Sequence, residues 1–193
     1  MKRIIFLLEE PSMKEFIDSF LPRALPGLDF LCVKHEGKQD LEKSIPRKLR
    51  AWSGVHFVVV RDNDGADCHK LKSRLQELCC KSGHPETLIR LACQELESWY
   101  LGAIDALSAA YSRPELSGLG RKAKYRNPDD FGSPSVELSR LIPEFSKIEG
   151  ARRMGQQMPT TESGNRSRSF QVFMQGVRKI TEEVRQAAAE ANQ

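Results

Sequence analysis

The chain has 193 residues, 30 Lys and Arg against 26 Asp and Glu for a formal net charge of +4, and 39% hydrophobic residues. That is enough apolar material for one core, which excludes a disordered chain and predicts a single domain of ordinary size with or without a helical extension. No apolar run of about 18 residues occurs, and the start Met-Lys-Arg-Ile-Ile turns acidic too early for a signal peptide, so a soluble cytoplasmic protein with no membrane partner is expected. The five cysteines, Cys32, Cys68, Cys79, Cys80 and Cys93, form no Cys-x-x-Cys and are read as reduced thiols rather than zinc ligands or a disulfide framework.

In chain order, Lys2 to Leu8 is an apolar run, a first strand that ends in Glu9 and Glu10. Ser12 stands three residues before Glu15, the spacing of a capping box, and opens an amphipathic helix through about Leu21. Pro22 to Gly27 is a break, Leu28 to Val33 a second strand, and Gln39 to Trp52 a helical stretch that Pro46 interrupts or restarts. The loop His35-Glu36-Gly37-Lys38 lies between them. Val55 to Arg61 is a third strand, Asp67 to Lys81 a helix, and Thr87 to Cys93 a fourth strand. Four successive strand-then-helix units predict an α/β fold: a parallel four-stranded sheet with right-handed crossovers and helices on both faces. From Glu95 the chain turns helical with no fifth strand. Residues 112–168 are rich in Pro, Gly, Ser and Arg, a mobile stretch is expected from Gly150 to Asn165, and a last helix runs from about Ser169 to Ala191. The division expected is a core over 1–111 and a basic, largely helical extension over 112–193 that packs on it.

The chemistry concentrates where strands end. Val-Val-Val-Arg-Asp-Asn-Asp delivers Asp62 and Asp64 after the third strand, and open α/β sheets bind ligands at the carboxyl ends of their strands. Strand alternation would send Asp62 and Asp64 to one side, with Asn63 opposite, so that they clasp one ion or bridge two. Hard oxygen donors without histidine form a magnesium or manganese inventory rather than a zinc one. The plainer reading of Asp-Asn-Asp-Gly is a turn that ends a strand. Positive charge is segregated: residues 1–120 carry 17 basic and 17 acidic side chains, residues 121–179 carry 12 and 6, and the remainder 1 and 3. Arg121-Lys122-Ala123-Lys124-Tyr125-Arg126 interleaves a ring with cations, a pattern suited to phosphate contact and base stacking or to a partner protein. Asn165-Arg166-Ser167-Arg168-Ser169 adds further phosphate-seeking groups, with Ser167 or Ser169 equally readable as helix caps.

A Glu after the first strand and Asp-x-Asp after the third resemble the TOPRIM fold of topoisomerases, primases and OLD-family nucleases. Leu-Leu-Glu-Glu-Pro-Ser, His-Glu-Gly-Lys-Gln-Asp-Leu, Arg-Asp-Asn-Asp-Gly, Glu-Leu-Glu-Ser-Trp-Tyr-Leu-Gly and Asn-Arg-Ser-Arg-Ser-Phe together resemble a bacterial family of unknown function, number 4276, of that TOPRIM-like group. The resemblance implies that Glu9 is the catalytic Glu of the first motif and that Asp62 and Asp64 hold metal. Glu10 stands where OLD-type relatives often have Gly, and Met13 where they often have a second Glu. Glu97, in Glu-Ser-Trp, is similar to the acid of the Glu-x-Trp motif of RloB-like proteins and is the substitute; Glu95, roughly 200° away on a helix, is its alternative. Lys38 and Arg61 are the nearest cations, Lys38 as a stabiliser of phosphoryl charge and Arg61 with Arg121, Lys122, Lys124, Arg126 and Arg166 for nucleic acid.

What the resemblance implies is a Mg2+- or Mn2+-dependent nuclease acting on RNA or DNA, with Glu9, Asp62, Asp64 and Glu97 holding metal. It would be the effector of a phage-defence or toxin-type system. Such relatives often work beside an ABC-like ATPase, which here must be a separate polypeptide, since no Gly-x-x-x-x-Gly-Lys-Ser/Thr is present. Two other classes remain open: a non-catalytic module that binds an ATPase partner and keeps a vestigial metal site, and a receiver-like phosphoacceptor, for which the fifth strand and its Lys-Pro are missing.

Overall fold

The computed structural model describes residues 3–190; the expected strand start at Lys2 and helix end at Ala191 lie outside them. Strands β1 (Ile4–Leu8), β2 (Phe30–Lys34), β3 (His56–Asp62) and β4 (Leu88–Ala92) form one parallel sheet in the order β2-β1-β3-β4. Helices α1 (Pro11–Ala24), α2 (Lys38–Ala51) and α3 (Cys68–Lys81) make the crossovers. The two central strands read as unbroken apolar runs because both of their faces are covered. Ile4, Phe6, Leu8, Val58 and Val60 enter the core built with α1 and the C-terminal helices, while Ile5, Leu7, Phe57 and Val59 enter the core built with α2 and α3.

Beyond β4 come α4 (Glu97–Leu101), α5 (Ile104–Ala110), 3₁₀ segments at Pro114–Arg121, Ala123–Tyr125 and Pro128–Asp130, α6 (Pro134–Leu141), α7 (Lys147–Gln157), a 3₁₀ turn at Glu162–Gly164 and α8 (Arg168–Glu190). The α/β architecture expected from the strand and helix alternation, with a C-terminal helical part, is the one observed. No helix among the described residues is long and apolar enough to cross a membrane.

Three local expectations fail for identifiable reasons. Ser12 does not cap α1: the N-cap residue is Glu10, and the Ser12 hydroxyl donates to the Glu10 carboxylate. Neither Pro22 nor Pro46 ends its helix. A proline inside a helix costs about 3 kcal/mol, and the buried Phe20, Leu21 and Ala24 around the first and Ile45 and Leu49 around the second offset that loss. Third, much of the stretch expected to be mobile is α7, laid against α1. A Cβ on Gly155 would stand 2.6 Å from Ser19 Cβ and 2.9 Å from the Phe16 carbonyl oxygen, so this glycine sets the close approach of two helices rather than the freedom of a loop.

The same core spans both halves of the chain. Trp99 of α4 packs its ring against Phe16 of α1 and against Phe170 and Phe173 of α8, with centroids 5.8, 5.5 and 4.9 Å away. Its indole N–H donates to Ser169 Oγ at 2.9 Å, so the buried ring keeps no unpaired donor. α8 begins with its own cap, the Phe170 N–H donating to Ser167 Oγ at 3.1 Å, in keeping with the capping role open to that serine.

Candidate active site

The acids meet at the carboxyl edge of the sheet, and strand register decides which of them meet. Leu8 is in register with Val60, so one step on Glu9 lies beside Arg61, and two steps on Glu10 lies beside Asp62. Residues in register on parallel strands share a face, and the next residue takes the other. Two neighbouring acids at the end of β1 are thereby sent to opposite sides of the sheet.

On the α2 and α3 side, Glu9 Oε2 accepts the Asp62 N–H at 3.0 Å and lies 3.6 Å from Arg61 Nε. Arg61 is buried and fully engaged, with Nη1 donating to Glu42 Oε1 at 2.6 Å and Nη2 3.6 Å from Asp64 Oδ2. Arg74 holds the same Glu42, and Lys38 donates to Asp64 Oδ2 at 3.0 Å. Burial raises the Glu9 carboxyl above its ordinary range, with Arg61 opposing. Asp64 takes a left-handed backbone, φ +48°, and its carboxylate joins Lys38 and Arg61. The expected Asp62–Asp64 clasp therefore does not form. Arg61 is a ligand of carboxylates rather than of nucleic acid. An open cleft of about 320 Å³ lies over this group, lined in part by Lys38, Glu42, Arg61, Asp64 and Arg74.

On the α1 and α7 side, Asp62 is buried against Glu10, Glu97 and Lys147. Lys147 Nζ stands 3.5 Å from Glu10 Oε2 and 3.9 Å from Glu97 Oε1. Asp62 Oδ1 and both carboxylate oxygens of Glu97 are buried without a hydrogen-bond partner, as is the Tyr100 hydroxyl. Burial first, and the charges of Glu10, Glu9 and Glu97 second, push Asp62 well above the usual carboxylate range. Burial pushes Glu97 up to about 7, against the pull of Lys147. Burial also pulls on Lys147, yet Glu97, Glu10 and Asp62 outweigh it and keep the ammonium above its ordinary value.

Three desolvated carboxylates that share one ammonium either take up a proton or are neutralised by a further cation. In donor chemistry Asp62, Glu97 and Glu10 suit a hard divalent ion. In geometry they do not yet enclose one: among the described residues no three His, Cys, Asp or Glu side chains stand close enough to share a metal.

Glu95 and Glu97 separate, though not by a helical angle, because Glu95 lies in the bend before α4. Glu97 opens α4, whose position is fixed by Trp99 in the aromatic core, and is 0% exposed. Glu95 Oε2 accepts the Ser135 N–H at 2.7 Å in the first turn of α6, a capping contact rather than a ligand's.

Of the basic residues, Arg121, Lys122, Arg126 and Arg166 are exposed. Lys124 donates to Glu137 at 2.8 Å, and Tyr125 is 2% exposed with its hydroxyl donating to the same carboxylate. The expected stacking ring is therefore part of the core. Arg166 reaches back to the Gly120 carbonyl, and with Arg121, Gly102 and Asp105 it lines a cavity of about 410 Å³. That cavity is larger than the cleft beside the acids, but none of the clustered carboxylates lines it.

Two residues of the acid group are not assigned by sequence reasoning. Glu9 rather than Glu10 matches the first motif, and which of them faces Asp62 depends on register, which a single strand does not reveal. Lys147 lies far along the chain. The available signal for it is the spacing of Gly150, Ala151, Met154 and Gly155, small or apolar at i, i+1, i+4 and i+5, which marks a packed helix face just after it.

No curated protein and no solved structure matches the chain. The family model described as Domain of unknown function (DUF4276) matches residues 8–178, from the last residue of β1 into α8. That span takes in Glu9, Glu10, Asp62, Glu97 and Lys147 alike, and the chain belongs to the DUF4276 family.

Proposed function

We propose that the protein is a phosphodiesterase acting on nucleic acid with the help of Mg2+ or Mn2+, and that Asp62, Glu97 and Glu10 hold the cation. The observation that carries this reading is the burial of Asp62 Oδ1 and both Glu97 oxygens without hydrogen-bond partners, beside a third carboxylate. A bound divalent ion would supply water activation and charge stabilisation at a phosphoryl group. Asp62 is held at the end of a central strand, with its N–H on Glu9, and Glu97 is held by α4, so closure on an ion would fall to the side chains and to Glu10 rather than to these elements. Lys147, kept cationic by its neighbours, is positioned to meet negative charge developing on a phosphoryl oxygen. The exposed Arg121, Lys122, Arg126 and Arg166 supply backbone phosphate contacts. Kinship with TOPRIM, OLD and RloB-like nucleases, and service as the effector of a defence or toxin system with a separate ABC-like ATPase, belong to the same proposal.

The test is cleavage of tRNA, single-stranded and duplex substrates with Mg2+ and with Mn2+, with and without the product of an adjacent ATPase gene, comparing wild type with Asp62→Asn and Glu97→Gln. Metal-dependent cleavage lost in both variants supports the reading, and cleavage unchanged in the folded variants overturns it. One observation favours a second reading, a partner-binding module with a vestigial acid group: Lys147 already neutralises part of the cluster. Calorimetric titration with Mn2+ separates the two, because only the first requires a saturable site that disappears with Asp62.

A further inference from the structure

Cys68 and Cys93 stand apart from the other cysteines. Cys32 and Cys79 are buried and Cys80 is exposed, whereas Cys68 and Cys93 are both half-buried with their sulfurs 4.0 Å apart. Cys68 is the first residue of α3, and Cys93 follows the last residue of β4. Asn63 joins the two turns: its Nδ2 donates to Cys68 Sγ at 3.2 Å, and its Oδ1 accepts the Gln94 N–H. Beyond Asn63 the first turn is exposed, with Asp64 at φ +48° and Gly65 at φ +74°.

We propose that Cys68 and Cys93 form a reversible disulfide that clamps the turn after β3 to the turn after β4. A disulfide requires the sulfurs to close to about 2.05 Å, a movement of about 2 Å that the exposed turn can supply. The oxidant is a small-molecule disulfide such as oxidised glutathione. Cys68 gives up its proton, its sulfur attacks one glutathione sulfur, and one glutathione thiolate leaves. The Cys93 sulfur then attacks Cys68 Sγ, the second glutathione leaves, and the Cys93 proton passes to it. Two protein thiols and one glutathione disulfide become one protein disulfide and two glutathione thiols. Burial raises the Cys93 thiol to about 12 and makes it the slower nucleophile, so Cys68 makes the first attack and the step in which Cys93 attacks Cys68 Sγ limits the rate. The first of these turns follows Asp62 and the second leads to Glu97, so the clamp acts on the framework of the acid cluster. Its formation requires no activity of that cluster.

The full chain, equilibrated under native conditions at increasing ratios of oxidised to reduced glutathione, is expected to lose two of its five thiols. Its intact mass should fall by two hydrogens with no glutathione retained, and digestion should yield one peptide joining Cys68 to Cys93. Amide exchange across residues 63–67 should slow on oxidation. Cys68→Ser keeps the fold, since serine is nearly the same size and its hydroxyl oxygen accepts from Asn63 as the sulfur does, and in it neither the cross-link nor the slowed exchange should appear. Retention of all five thiols at equilibrium, a bridge at Cys79–Cys80 instead, or identical slowing in Cys68→Ser would overturn the proposal.

Discussion

At the scale of single residues, the acid cluster makes its own pH signature. Glu97 lifted from an ordinary 4.5 to about 7 binds its proton more tightly folded than unfolded, and Asp62 moves in the same direction. The stability this brings is complete below about 4.5 and is lost as pH rises through about 7. Without divalent ions, urea unfolding should thus show stability falling across that window, by roughly 3 kcal/mol for Glu97 alone. Glu97→Gln should flatten the slope and be the more stable protein near pH 8; an unchanged slope would mean that Glu97 is not buried as a carboxyl. On the proposed metal-dependent reading Mn2+ would displace the same protons, so its affinity should rise with pH over the same range. Glu95 offers the matched control. Glu95→Ala removes a cap of α6 and should cost about 1 kcal/mol while leaving Mn2+ binding untouched, as calorimetry would report.

Among elements, the sheet is readable from the sequence and the faces are not. The Val58–Val60 run and the acids at strand ends mark the central strands and their carboxyl edge, because a doubly covered strand must be apolar throughout. Which of Glu9 and Glu10 faces Asp62 is a matter of one residue of register between strands about fifty positions apart, set by backbone pairing rather than by either segment's composition. Asp64 departs from its expected place because its left-handed backbone interrupts the alternation that extended geometry would give. Gly150 and Gly155 have the composition of loop formers and the position of contact glycines. Gly155→Ala forces a Cβ into Ser19 and the Phe16 carbonyl and should destabilise the protein by about 1–3 kcal/mol in thermal or urea unfolding. Since α7 carries Lys147, the variant should also move that ammonium away from Glu10 and Glu97, visible as a steeper pH dependence of stability. A neutral or stabilising outcome would mean that α1 and α7 are not closely packed.

For the whole molecule, folding sorts the surplus positive charge of residues 121–179 more finely than a sequence count does. Lys124 and Arg140, with the Tyr125 hydroxyl, hold the Glu137 carboxyl down to about 2 against the effect of its burial. Arg121, Lys122 and Arg126 stay at the surface. Replacing those three by Ala should weaken nucleic-acid binding and lower the log–log salt slope by about 0.7–0.9 for each phosphate that is no longer engaged, with Mn2+ binding unchanged; a slope equal to that of wild type would remove this surface from the nucleic-acid interface. The packing of α1 on α7 also has a consequence in time. Arg23 donates to the Gly155 carbonyl 132 positions further along the chain, and Phe16 and Phe20 share their core with Phe170 and Phe173. A ribosome adding about 5–20 residues per second needs on the order of ten seconds to travel that distance. The last part of that interval, after β4 ends at Ala92, leaves the newborn sheet with its α2 and α3 side complete and with α1 on the other side still waiting for the aromatic rings and helices that α7 and α8 bring.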